Sequence, residues 1–135
     1  MHQTPKSIEQ HFVRVAGQEG KFVALRKLLQ TFDLKNRQVI VFCNHANGCC
    51  ATEHMLREHE YSSTHFHGDI QKDVRRKNFD SFVAGTHRIL VATDLAARGL
   101  DLTSVYHVIN FDLPSSAVDY LHRSGYVSIF TKFLP

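Results

Sequence analysis

Short β-branched apolar runs alternate with longer amphipathic stretches along this chain. Ile8 to Ala16 alternates apolar and polar residues, which predicts a first strand suited to a sheet edge. Lys21 to Phe32 sets Phe22, Leu25, Leu28, Leu29 and Phe32 at helical spacing. Gln38 to Asn44 is almost continuously apolar, as in a strand covered on both faces. Ala46 to His59 predicts a helix with Cys49, Thr52 or Glu53, and Leu56 inward. Ser63 to Asp69 is weaker, a short strand entering a loop. Lys72 to Val83 predicts a helix that offers Val74, Phe79 and Phe82 to the core, with Gly85 as its C-terminal cap. Arg88 to Thr93 reads as another buried strand, followed by a polar loop from Asp94 to Asp101. Val105 to Asp112 is the last clear strand. Pro114 breaks the chain, and Ser116 to Ser124 predicts a helix with Ser115 or Ser116 as N-cap. The final "GYVSIFTKFLP" fits one more strand or a disordered tail, and its periodicity leaves both open.

This strand and helix order favours a mostly parallel sheet with helices on both faces. Ligands of such folds meet the loops at the carboxyl ends of the strands. Three segments qualify: Asn44 to Gly48, His67 to Asp69, and Asp94 to Asp101. A length of 135 residues suits one domain, and 43% hydrophobic content supplies a core. The formal charge of +3 permits a polyanionic partner without requiring one. Cys43, Cys49 and Cys50 form no disulfide framework, and no second cysteine pair completes a tetrahedral metal site. The histidines are scattered without a zinc-protease spacing. A reducing, intracellular setting (nucleus or cytoplasm) and no metal site is the expectation. No apolar run approaches the roughly 20 residues that cross a bilayer, so no membrane partner is expected.

The loop from Asp94 to Asp101 carries the most chemistry. Arg98 offers a planar donor head to phosphate or carboxylate. Asp101 can accept from a ribose hydroxyl, and Thr93 can donate to a phosphate oxygen. The structural alternative is an Arg98–Asp101 or Arg98–Asp94 pair that only ties the loop down. Gly68 lets a sugar-phosphate chain pass close to the backbone, although a tight turn capped by Asp69 gives the same triplet. Arg75, Arg76 and Lys77 point in different directions on a helix, so at least one is an ordinary solvated charge. Asn44, closing its strand, can satisfy a carbonyl or contact a ligand. His122 and Arg123 suit the carboxyl end of their helix, a structural role. The chain has no Gly-x-x-x-x-Gly-Lys-Ser/Thr nest and no paired acids for Mg²⁺, so no catalytic residue is assigned and ATP hydrolysis by the chain alone is excluded.

In order, these loops resemble the second RecA-like domain of DEAD-box RNA helicases, from about Ile8 to Gly125. "RILVATDLAARGLDLTSVYHVINFDLP" (Arg88 to Pro114) resembles the family's fifth motif and the following strand. "VIVFCN" resembles the fourth motif, "HFHGD" its companion, and "YLHRSG" the start of the sixth. The resemblance implies an α/β, RecA-like three-layer sandwich over 1–125, with 126–135 an atypical tail. It implies a parent enzyme that uses ATP and Mg²⁺, bound mainly by a preceding RecA-like ATPase domain, to remodel single-stranded or duplex RNA. By the same resemblance Asn44, Gly68, Arg75 and Thr93 line the RNA backbone, and Arg98 and Asp101 reach the nucleotide cleft. Asp94, Arg98, His122 and Arg123 couple the two domains. Lys72 stands where the family often has Gln. Tyr126 and Ile129 stand where it has the two arginines that stabilise the transferring phosphoryl group, which implies little hydrolysis even beside an ATPase domain. A non-catalytic RNA- or protein-binding module, a truncated form regulating the full enzyme through shared partners such as regulatory proteins, and a fragment without a role of its own are the rival readings.

Overall fold

The apolar runs pair with one another through the middle of the molecule. The computed structural model describes residues 9–102, 105–114, 116–124 and 129–135. Its strands are β1 (Glu9–Arg14), β2 (Val39–Phe42), β3 (Ser63–Phe66), β4 (Ile89–Ala92), β5 (His107–Asn110) and β6 (Ile129–Leu134). Between them run α1 (Gly17–Gln30), α2 (Ala46–Glu58), α3 (Lys72–Val83), α4 (Asp94–Ala97) and α5 (Ala117–Ser124). The strands form one sheet in the order β1-β6-β5-β2-β4-β3, and every pairing is parallel. Chain order crosses from β4 to β5 over β2, so the loops after these strands gather at one edge of the sheet, where parallel folds place ligands.

Alternation along each central strand builds two apolar layers. Val39, Val41, Ile89 and Val91 face Leu25 and Leu29 of α1 and Cys49 and Leu56 of α2. Ile40, Phe42, Leu90 and Ala92 face Phe79 and Phe82 of α3 and Ala97 of α4. That is the three-layer sandwich. The first residues of α1, α2 and α3 receive no side-chain cap hydrogen bond. A cap is worth about 1 kcal/mol, whereas one fully buried Leu or Phe is worth roughly 2 kcal/mol. Packing, therefore, holds these helices.

Two expectations need correction, and one alternative left open is decided. Val74 is 42% exposed, because it lies off the α3 face that presents Phe79 and Phe82. The loop after β4 opens with the single turn of α4. The terminal segment is a strand: Ile129 aligns with both Glu9 and His107, so β6 joins β1 to the rest of the sheet. Gly85 does follow α3 with φ +82°, donating to Phe82 O at 3.0 Å, a conformation that favours glycine. Ser116 caps α5, accepting from Asp119 N at 3.1 Å, while Ser115 lies outside the described residues. Among the described residues no helix is long and apolar enough to cross a membrane.

Candidate nucleic-acid interface

Asn44, Gly68 and Thr93 follow β2, β3 and β4 within two residues, so parallel pairing of these strands brings all three to one edge. With Arg98 they line a single cavity of about 320 Å³, which His45, Leu95 and Asp119 also wall. Arg75 is adjacent rather than inside. It lines a second groove with Leu95, its guanidinium 5.9 Å from the Phe66 ring centre. Leu95, 77% exposed, stands between the two concavities. A larger concavity of about 750 Å³ lies between β1 and α1, walled by residues such as Val13, Val23 and Leu28. None of the sequence-derived site residues reaches it.

Gly68 is the informative glycine. Its φ lies outside the left-handed region, and an added Cβ would meet no atom within 4 Å. Among the described residues nothing requires glycine there, whereas close passage of an external backbone would.

Beneath the cavity lies an ion-pair network centred on Arg123, which is fully buried. Its Nε donates to Asp94 Oδ1 at 2.6 Å, and Nη2 donates to Asp94 Oδ2 as well. Nη1 donates to Asn110 Oδ1 at 2.9 Å and to Asp112 O at 2.8 Å. Nη2 also reaches Asn44 Oδ1 at 2.9 Å, and the guanidinium lies over the Phe42 ring. All of these contacts of Arg123 lie within the chain. It fastens α5 to the ends of β2, β4 and β5, and Asp94 is committed to it. The His122 side chain, Gly125 and Tyr126 lie outside the described residues.

Arg98 pairs with Asp119, Nη2 to Oδ1 at 3.0 Å, and its side chain stays 52% exposed. Asp119 on α5 is thus a site residue that sequence reasoning missed. Burial would raise its pKa, but hydrogen bonds from Arg98 and Ser116 outweigh that and hold the carboxyl below its usual range. Of the two alternative partners considered for Arg98, Asp94 pairs instead with Arg123. The Asn44 amide also donates to Leu113 O at 2.8 Å, so much of its capacity is spent inside the chain. Thr93 is buried and makes no side-chain cap bond to α4. Asp101 is exposed after α4 and does not line the cavity. On α3, Arg76 pairs with Asp80 at 3.3 Å on the open surface, as an ordinary solvated charge does.

Three carboxylates of this edge are engaged by cations of the chain: Asp94 by Arg123, Asp119 by Arg98, and Asp112 by Lys21 at 2.7 Å. Paired in this way, these three are not open to Mg²⁺. What the edge can do is present donors and an open glycine to a phosphate chain.

Comparison with known proteins gives a consistent picture. The helicase conserved C-terminal domain family matches residues 20–127. The chain is 39% identical over 127 residues to DEAD-box ATP-dependent RNA helicase 39 of Arabidopsis thaliana, covering 93% of the chain and 20% of that protein. It is 44% identical over 100 residues to ATP-dependent RNA helicase DBP2 of Encephalitozoon cuniculi, covering 73% and 20%. The chain thus spans about a fifth of these relatives. Among solved structures, the E. coli DEAD-box protein SrmB, bound to regulator of ribonuclease activity A, superposes with a TM-score of 0.86 and 31% identity. That match covers 96% of this chain and 78% of the other. Dbp5 of S. cerevisiae, bound to RNA and ADP BeF3, gives a TM-score of 0.83 and 25% identity over 94% of this chain and 35% of that one.

Proposed function

Because the chain belongs to the DEAD-box RNA helicase family, as its helicase conserved C-terminal domain, we propose that it supplies half of an RNA-backbone groove and one wall of an interdomain ATP cleft. The observation that carries this reading is the shared cavity of Asn44, Gly68, Thr93 and Arg98. Thr93 and Arg98 donate to phosphate oxygens, and Gly68 gives the backbone room. Arg75 extends the track past Leu95. Contacts of this kind read phosphate and sugar, so base specificity is low.

A partner RecA-like ATPase domain holds ATP and Mg²⁺, and Arg98 and Asp101 approach the nucleotide from this side. Arg98 is a coupling residue: RNA phosphate draws on the guanidinium that Asp119 positions, which ties RNA contact to α5. Arg123 acts through Asp94 and Asn44 by fixing the edge that carries the groove. Closure of the two domains on a bent single strand is incompatible with a continuous duplex, and product release reopens the cleft. Tyr126 and Ile129 bring no permanent charge to the transferring phosphoryl group, so this version supports little hydrolysis.

Alone, the chain binds single-stranded RNA weakly, because it offers half a groove. Titration of labelled RNA is expected to give a micromolar or weaker Kd that rises with salt. Nanomolar binding that ignores salt would contradict the reading.

A further inference from the structure

The strand β3 carries chemistry that the groove does not use. His65 and His67 are two residues apart in extended chain, so both side chains face α2, where Cys50 sits. One ligand atom from each of Cys50, His65 and His67 lies within 4.8 Å of the other two. Cys50 Sγ and His67 Nε2 are 3.4 Å apart. Tetrahedral zinc with ordinary Zn–S and Zn–N bonds needs a sulfur–nitrogen separation of about 3.6 Å and a nitrogen–nitrogen separation of about 3.3 Å. Small side-chain adjustments close that gap.

We propose that Cys50, His65 and His67 bind a borderline transition-metal ion of the Zn²⁺ class, with a fourth position open to solvent. One thiolate and two imidazoles are the donor set such ions select over Mg²⁺ or Ca²⁺. His65 Nδ1 is buried without a hydrogen-bond partner, so this ring is not fully employed by the protein itself. His67 is almost fully buried, so its ring is held in place beside Cys50. The two adjacent cysteines divide cleanly. Cys49 is fully buried in the core. Cys50 is exposed and gives an ion entry from solvent.

Binding replaces the proton of the Cys50 thiol, released to water, and takes a lone pair from each ring. His67 Nδ1 now accepts from Asp69 N at 3.3 Å. The bound tautomer instead carries its proton on Nδ1, so binding gives up that backbone contact. The site stands on its own donors and does not depend on RNA binding.

The test is titration of the reduced, chelator-stripped chain with Zn²⁺, and with Co²⁺ for its spectrum. The expected result is one equivalent bound in the micromolar range or tighter, with a sulfur-to-cobalt charge-transfer band. Cys50→Ala, at an exposed helix position, should leave the metal-free melting curve unchanged, abolish the band and weaken Zn²⁺ by more than about tenfold. His67→Gln should weaken it likewise, and the exposed control His54→Gln should not. With 10 histidines in the chain, adventitious binding is the competing outcome. Undiminished Zn²⁺ affinity in Cys50→Ala, or no binding by the unaltered chain at micromolar metal, overturns the site.

Discussion

Polar residues at strand ends were readable as candidates, but their employment was not. Asn44, Gly68 and Thr93 stood out because each follows a buried run, and parallel pairing alone brings them together. Asp119 could not be found, since its partner Arg98 lies 21 positions away and no periodicity joins them. Arg123 looked like a helix-end cation, yet burial makes it the clamp for Asp94. Arg123→Met should leave that carboxylate buried and unpaired, costing about 3–5 kcal/mol in urea unfolding, and adding Asp94→Asn should restore part of the loss. Equal stability of the single variant and the parent would remove the clamp. His107 gives a second prediction. Burial first, then the charges of Arg37 and His11, lower its pKa from 6.5 to about 4, against an opposing pull from Glu9. The ring stacks on Phe32, and Nδ1 has no partner. The unfolded chain then binds the extra proton first. This contribution is whole above pH 6.5, shrinks as pH falls, and is gone below about 4. The loss is at most about 3 kcal/mol, and His107→Phe should flatten that part of a stability-pH profile.

Elements with a strong period were legible to the residue. The spacing places α3 at Lys72 to Val83, its observed span, because Phe79 and Phe82 mark a face and Gly85 marks the stop. The tail was not legible, because a six-residue apolar run says nothing about where it docks. In the molecule it is β6, whose Thr131 is 1% exposed and faces His11 on one side and Ile109 on the other. Attachment of β1 to the sheet therefore runs through β6. Thr131→Pro removes a ladder donor and should cost more than about 2 kcal/mol. Hydrogen exchange should then speed up in β1 and β6 together while β2 and β4 stay protected. Unchanged protection in β1 would show that its attachment does not depend on β6.

For the whole molecule, alternation of strand and helix was enough to give the sandwich, and loop placement gave the edge where function gathers. What the alternation could not give was the division of that edge between structure and ligand. Arg123, Asp94 and most of Asn44 serve the fold, while Gly68, Thr93, Arg98 and the neighbouring Arg75 remain turned to the groove. The most direct measurement compares the chain with Gly68→Leu, by amide chemical-shift mapping during titration with a short single-stranded RNA and by thermal melting. The open space at Gly68 predicts an unchanged melting temperature, shifts centred on Gly68, Thr93 and Arg98 in the parent, and affinity at least about tenfold weaker in the variant, or about 1.4 kcal/mol. Shifts on another face, or RNA affinity that survives the leucine, would contradict the groove.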